Sequence, residues 1–125
     1  LEVLLGRSDL LALCCPLTPE TRGLIDRRRL ALVRPGVIIV NTSRGPVVDD
    51  EALAEALRDG RVGGAGLDVF ADEPRVPEVY MGLDNVVLTP HLGSGTRETR
   101  AAMARLVTEE LLRFAQGKPL RHRVV

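Results

Sequence analysis

Residues 37–57 read VIIVNTSRGPVVDDEALAEAL, a pattern that predicts a strand, a turn and a helix in succession. The run VIIV is short, apolar and rich in β-branched residues, as buried strands are. The helix has both ends marked, because Asp49 and Asp50 put negative charge at its start while Arg58 and Gly60 close it. Between them lies the polar turn NTSRG. The unit predicts an α/β fold and raises the question of why an arginine sits at the end of a buried strand.

Three further apolar runs accompany VIIVNT (37–42), namely LLALCC (10–15), GAGLDV (64–69) and NVVLTP (85–90). None alternates polar with apolar residues, so we predict strands that are buried on both faces of a parallel sheet, with helices on either side. Segments with helical spacing of apolar residues lie between the runs, with a weak pattern at 20–33. A clearer pattern follows the last run and predicts a final helix that starts between Ser94 and Thr96. The sequence contains no G-x-G-x-x-G, the motif that normally opens a doubly wound nucleotide-binding domain. The predicted α/β sheet therefore looks incomplete.

Composition excludes several classes of function. The chain has 125 residues, about one domain, with 45% hydrophobic residues. Lys+Arg and Asp+Glu are both 17 and aromatic residues only 2%, which argues against a nucleic-acid partner. No apolar run is long enough for a membrane span and no secretion signal opens the sequence, so we expect a cytoplasmic protein. Cys14 and Cys15 are adjacent, which makes a mutual disulfide strained; we expect two reduced thiols and no metal site.

Polar residues follow three consecutive predicted strands. Arg44 comes after VIIVNT, Glu73 after GAGLDV and His91 after NVVLTP. Ligands of open parallel sheets bind at the carboxyl ends of the strands, so we expect these three side chains at one rim. A fourth group, Asp68, lies inside an apolar strand, where a carboxylate either caps a neighbouring loop or faces a ligand.

Each residue also has an ordinary structural explanation. Arg44 can pair with Asp49 or Asp50 on the surface, Glu73 can be a solvated loop residue, and His91 can be a half-buried histidine with its hydrogen bonds satisfied. The coincidence of all three at one rim favours a site. Its chemistry follows from residue type, since arginine binds a carboxylate with two parallel hydrogen bonds and histidine exchanges a proton near neutral pH. Such a site can protonate a carbonyl oxygen, and the hydride must then come from a nicotinamide cofactor.

Four stretches carry a specific resemblance. CPLTPETRGLID, RPGVIIVNTSRGPVVDDEALAEAL, GAGLDVFADEP and NVVLTPHLGSGTRETRAAMA resemble, in order and spacing, the C-terminal part of the cofactor domain of D-isomer-specific 2-hydroxyacid dehydrogenases. Within that family the chain is most similar to the glyoxylate/hydroxypyruvate reductases. The resemblance implies the C-terminal half of a doubly wound parallel-sheet (Rossmann) nucleotide-binding domain over residues 1–117, with residues 118–125 leading towards a substrate domain.

The same resemblance implies roles for individual residues. Arg44 is expected to bind the substrate carboxylate, and His91 to exchange the proton with the substrate, with Glu73 as its catalytic partner. Asp68 is expected to accept from the nicotinamide carboxamide, and Gly93 with Ser94 to close over the ring. Contacts with NAD or NADP are expected from Cys15, Pro16, Leu17, Thr42, Ser43, Arg44, Asp68, His91, Gly93 and Ser94.

The implied protein is an NAD(P)-dependent oxidoreductase that acts on a small 2-oxoacid or D-2-hydroxyacid as a homodimer. The family's phosphate loop, its residue that selects NAD or NADP and most of its substrate domain precede the matched part. We therefore expect the isolated chain to be catalytically incomplete and to expose an unpaired apolar edge at LLALCC. Two alternatives stay open: a non-catalytic NAD(P)-sensing or interaction module, and an inactive truncated fragment.

Overall fold

A computed structural model of the chain describes residues 1–123 and divides them into two compact units. The first is Leu1–His91 and the second begins at Leu92. Each is described by itself. The predicted tail at 118–125 falls in the second unit, and its last two residues lie outside the described part of the chain.

The first unit is built on a parallel sheet of four strands. These are β1 (Leu10–Leu13), β2 (Val37–Asn41), β3 (Val62–Leu67) and β4 (Val86–Leu88), in the spatial order β1-β2-β3-β4. All neighbouring pairs run parallel. The four strands correspond to the four predicted apolar runs, and the α/β prediction is confirmed. Because the strands are parallel, the segments that follow them emerge at one edge of the sheet.

Three helices belong to the same unit, α1 (Glu2–Leu5), α2 (Arg27–Leu30) and α3 (Asp50–Arg58). The longest, α3, begins where the sequence predicts it, because the side chain of Asp49 accepts a hydrogen bond from the Ala52 N–H and caps the first turn. Its apolar stripe, which includes Leu53 and Leu57, is buried in the hydrophobic core. Single 3-10 turns at Gly45–Val47 and Glu78–Tyr80 complete the unit.

Two predictions about these elements are wrong. Burial alternates along β1 and β2, so that Leu11 is buried while Leu10 is exposed, and the strands are not covered on both faces by the described residues. Apolar sequence alone does not show whether a second layer covers it. The helix expected at 20–33 is confined to Arg27–Leu30, since Thr18 and Thr21 bind each other's backbone in a turn and Ile25 forms a bridge with Val48.

The second unit contains α4 (Arg97–Ala115). It begins just after the predicted start, with Thr96 as N-cap accepting from the Thr99 N–H. The chain then turns back, and Arg113 donates two hydrogen bonds to the carbonyl oxygen of Pro119. Among residues 1–123 there is no helix of the length and apolar character required to cross a bilayer.

Candidate active site

The turn after β2 is fixed by a buried asparagine. Asn41 is 1% exposed, and its Oδ1 accepts hydrogen bonds from the N–H and the hydroxyl of Ser43 at 3.0 and 2.8 Å. Its Nδ2 donates to the carbonyl oxygen of Arg44 at 3.1 Å. The amide thus replaces the backbone partners that the turn lacks, and it holds Thr42, Ser43 and Arg44 in one conformation. Asn41 is not among the predicted site residues, although an asparagine that ends an apolar strand is itself a signal.

A groove joins the end of β1 to this turn. It has a volume of about 510 Å³ and combines the predicted cofactor residues from both strand ends with one additional thiol. Its lining consists of Cys14, Cys15, Pro16, Leu17, Thr42, Ser43 and Arg44. Both cysteines are free, as expected, with Cys14 exposed. The groove brings together six predicted cofactor residues that are separated by a whole strand-helix-strand unit in the sequence.

Glu73 and His91 form a directly bonded pair. The Nδ1 atom of His91 lies 2.7 Å from Oε2 of Glu73, and the two side chains are 46% and 33% exposed. The other carboxylate oxygen, Oε1, accepts from the Phe70 N–H at 3.0 Å. The His91 imidazole, then the Phe70 N–H, and also the charge of Arg44 hold the pKa of the Glu73 carboxyl below its usual value. The pair therefore contains a stable carboxylate.

The backbone at His91 is unusual. Its φ is +53°, in the left-handed region that non-glycine residues rarely occupy outside turns and functional sites. Two hydrogen bonds support this geometry, from the His91 N–H to the Thr89 carbonyl and from the Thr89 N–H to the Leu67 carbonyl, both at 3.0 Å. The imidazole lines a cavity of about 100 Å³ with Phe70, Glu73, Pro74, Val76 and Pro90.

Asp68 links the ends of three strands. Its carboxylate accepts from the hydroxyl of Thr89 at the end of β4, and its N–H donates to the carbonyl oxygen of Asn41 at the end of β2. The residue is 8% exposed. Thr89 was not among the predicted site residues, and nothing in the sequence distinguishes its hydroxyl from that of any other threonine after a strand.

The predicted surface alternative for Arg44 does not hold. Within residues 1–123 no ion pair joins it to Asp49 or Asp50. Asp49 accepts instead from the Ala52 N–H, and Asp50 accepts from the hydroxyl of Tyr80 at 2.7 Å. The guanidinium of Arg44 donates to the carbonyl oxygen of Ser43 at 2.6 Å and is exposed at the groove.

Gly93 and Ser94 lie in the second unit, at the segment that precedes α4. Their expected closure over the nicotinamide ring stays a prediction. Arg44, Glu73 and His91 belong to the first unit.

Comparison with known proteins identifies the family of the chain. Residues 1–93 match the family model described as "D-isomer specific 2-hydroxyacid dehydrogenase, NAD binding domain". The chain belongs to the D-isomer-specific 2-hydroxyacid dehydrogenases. The family membership and the Rossmann-type fold that the resemblance implied are thereby confirmed.

Two relatives within this dehydrogenase family are named as reductases. Hydroxyphenylpyruvate reductase of Plectranthus scutellarioides is 53% identical over 117 residues, which is 94% of this chain and 37% of the relative. Glyoxylate reductase of Pyrococcus furiosus is 52% identical over 118 residues, 94% of this chain and 35% of the relative. The chain thus spans little more than a third of the length of these dehydrogenases.

A solved structure of the family has a similar fold. A D-isomer-specific 2-hydroxyacid dehydrogenase of Xanthobacter autotrophicus, determined in complex with NADPH and MES, superposes with a TM-score of 0.77 at 42% identity. The match covers 100% of this chain and 51% of that dehydrogenase chain.

Proposed function

We propose that this chain supplies the nicotinamide-facing and proton-transferring part of an NAD(P)-dependent reductase of small 2-oxoacids such as glyoxylate or hydroxypyruvate. The observation that carries the proposal is the cluster at the strand ends. An arginine, a carboxylate and a histidine follow three consecutive parallel strands, and the carboxylate and the histidine are in direct contact. A sensor that only bound the cofactor would have no use for a proton donor.

The groove residues fit the nicotinamide half of a dinucleotide. The groove of about 510 Å³ is open, combines apolar walls from Pro16 and Leu17 with the hydroxyl of Thr42, and ends at Arg44. When bound, the nicotinamide supplies the hydride in reduction or accepts it in oxidation. The remaining chemistry is assigned to side chains of this chain.

Arg44 is proposed to bind the carboxylate of the substrate. Its guanidinium can donate two parallel hydrogen bonds to a carboxylate, which fixes both the position and the plane of the group. The carbonyl carbon of a 2-oxoacid is bonded directly to that carboxylate, so anchoring one fixes the other. Asn41 supports this function by holding the Arg44 carbonyl, and with it the turn.

His91 is proposed to deliver the proton to the carbonyl oxygen in reduction and to remove it from the hydroxyl in oxidation. Its Nδ1 is occupied by Glu73, so the proton that is exchanged with the substrate belongs on Nε2. Glu73 keeps the imidazole in that orientation, while the Phe70 N–H keeps Glu73 in place. Asp68 is proposed to accept from the carboxamide of the cofactor.

The proposal includes the wider organisation that the family resemblance implies. Residues 1–117 are assigned to the nucleotide-binding domain, 118–125 to a return towards a substrate domain, and the enzyme is proposed to be a cytoplasmic homodimer. The phosphate loop and the residue that selects NAD or NADP are not contained in the 125 residues. The activity is therefore assigned to the full-length polypeptide that carries this chain.

A substrate comparison tests the proposal. The full-length polypeptide is assayed for oxidation of NADH and NADPH with glyoxylate, with hydroxypyruvate and with glycolaldehyde, which resembles glyoxylate but has no carboxylate. We expect turnover of the two 2-oxoacids with at least one coenzyme, and a kcat/KM for glycolaldehyde lower by about 10-fold or more, because a charge-assisted pair is missing. Equal rates for glyoxylate and glycolaldehyde, or no rate with either 2-oxoacid, would refute the proposal.

A further inference from the structure

Gly45 lies in a contact that leaves no space for any side chain. A Cβ atom built on Gly45 would be 2.0 Å from the carbonyl carbon of Phe70, 2.4 Å from its oxygen and 2.3 Å from the nitrogen of Ala71. All three are backbone atoms, which cannot rotate away as the end of a side chain can. The absence of Cβ is therefore what allows the turn after β2 to touch the loop after β3.

This contact joins the two functional parts of the proposed site. On one side, Gly45 follows Arg44 directly in the chain. On the other, the N–H of Phe70 donates to Glu73, whose second oxygen is bonded to His91. A continuous path of covalent bonds, one backbone contact and two hydrogen bonds thus runs from the guanidinium to the imidazole.

The geometry of the proposed substrate explains why this path matters for catalysis. In a 2-oxoacid the carboxylate and the carbonyl are on adjacent carbon atoms, so the group that binds one and the group that protonates the other must lie at a fixed separation. Arg44 and His91 follow different strands, and the backbone contact at Gly45 joins the turn of Arg44 to the loop of Glu73, the partner of His91. Misplacement by about 1 Å in such an arrangement can reduce turnover about 10²-fold.

We propose that Gly45 is a positioning residue that sets the distance between Arg44 and the Glu73–His91 pair, and that it thereby contributes to selection of 2-oxoacids. This inference rests on the proposed function. It assigns Gly45 no contact with substrate or cofactor. Its effect is exerted through the loop that carries Phe70 and Glu73.

Two other glycines provide matched alanine controls. A Cβ on Gly63 would lie 2.6 Å from the carbonyl oxygen of Gly36, a comparable backbone clash, but at the amino end of β3 and opposite the site. A Cβ on Gly66 would meet only side-chain atoms of Val40, at 3.8 and 3.9 Å, which is ordinary contact. Gly63→Ala tests the cost of a clash remote from the site, and Gly66→Ala tests the replacement of glycine where space exists.

The experiment compares Gly45→Ala with these controls in the full-length polypeptide. For each variant the ratio of kcat/KM for glyoxylate to that for glycolaldehyde is measured, together with the unfolding temperature and hydrogen–deuterium exchange of the Phe70 amide. For Gly45→Ala we expect kcat/KM for glyoxylate to fall about 10²-fold, the ratio to fall with it and the Phe70 amide to exchange faster. Gly63→Ala is expected to lower the unfolding temperature while the ratio stays at the wild-type value.

The inference is overturned if folded Gly45→Ala keeps the wild-type ratio, or if Gly63→Ala lowers the ratio equally. If Gly45→Ala does not fold, Ala71→Gly replaces it, since a glycine at this exposed position gives more conformational freedom to the loop backbone that Gly45 contacts. We then expect a several-fold smaller ratio at an unchanged unfolding temperature, and an unchanged ratio would overturn the inference. A wild-type protein with no 2-oxoacid reductase activity would instead refute the proposed function itself, while amide exchange still reports on the contact.

Discussion

The chain has two histidines, and each is paired with a glutamate. His91 is 2.7 Å from Glu73 in the first unit, and His122 is 3.3 Å from Glu110 in the second. In both pairs the imidazole uses Nδ1, and in both the carboxylate also accepts from a backbone N–H, of Phe70 and of Arg121 respectively. By residue type and bonding pattern the pairs are nearly equivalent.

Their surroundings differ. The residue His91 has a left-handed backbone at the end of a strand, and its partner Glu73 is affected by the charge of Arg44. The pair His122–Glu110 joins a helix to the tail that follows it. A histidine–carboxylate pair is therefore not a site by itself. What distinguishes the first pair is its position at the carboxyl ends of the strands, where Arg44 is the proposed carboxylate ligand.

The largest effect expected from this difference is on turnover. Replacement of His91 by asparagine should lower kcat about 10²- to 10⁴-fold, because the general acid is removed. Asparagine tolerates the left-handed backbone conformation better than most residues, so the local fold should be preserved. Steady-state rates of 2-oxoacid reduction by the full-length polypeptide provide the measurement.

His122→Asn is the matched control for that substitution. It breaks a pair of the same chemistry, and kcat should stay at the wild-type value. An equal loss in both variants would mean that the two pairs do not differ in function, contrary to the argument above.

A smaller effect on catalysis is expected from substitution of Arg44, the residue that distinguishes the first pair from the second. Arg44→Lys keeps the charge but loses the fork that binds a carboxylate at two points, so we expect kcat/KM for glyoxylate to fall about 10- to 100-fold, mainly through KM. Arg113→Lys is the control, since Arg113 also donates two hydrogen bonds, to the carbonyl oxygen of Pro119. Retention of the wild-type KM by Arg44→Lys would exclude Arg44 as the carboxylate ligand.

Sequence patterns predicted the elements well where local signals are strong. The strand-turn-helix unit at 37–57 was recognisable because the apolar run, the charged helix start and the closing glycine all agree. The carboxyl ends of parallel strands lie on the same side of a sheet. Predicting that Arg44, Glu73 and His91 lie at one rim therefore required only that the strands be recognised as parallel. The roles of these residues came from resemblance and stay predictions.

The features that the sequence did not predict depend on contacts between segments that are distant in the chain. Asn41 and Thr89 are polar residues at strand ends like many others, and only the folded chain shows that their side chains hold Ser43 and Asp68. The lack of space at Gly45 is likewise a property of two loops that meet, and it leaves no mark in the composition. Burial on both faces of β1 was wrongly predicted for the same reason, since the elements that pack against a strand determine which of its residues are buried.

The smallest expected difference between the two pairs concerns stability in acid. The pKa of Glu73 is lowered, chiefly by the hydrogen bond from His91. At Glu110, desolvation acts to raise the pKa, but the N–H of Arg121 and the hydrogen bonds of His122 together lower it. A lowered pKa in the folded state means that stability is fully present above the usual value of 4.5 and is lost as pH falls through the folded value.

Glu73→Gln and Glu110→Gln should therefore each reduce the loss of thermal stability between about pH 5 and about pH 3. We expect the larger reduction for Glu73→Gln, because its contact with histidine is the shorter of the two, at 2.7 Å against 3.3 Å. Unfolding temperatures followed by circular dichroism across this range provide the measurement, and identical pH profiles for wild type and Glu73→Gln would show that the Glu73–His91 pair contributes nothing to the folded state.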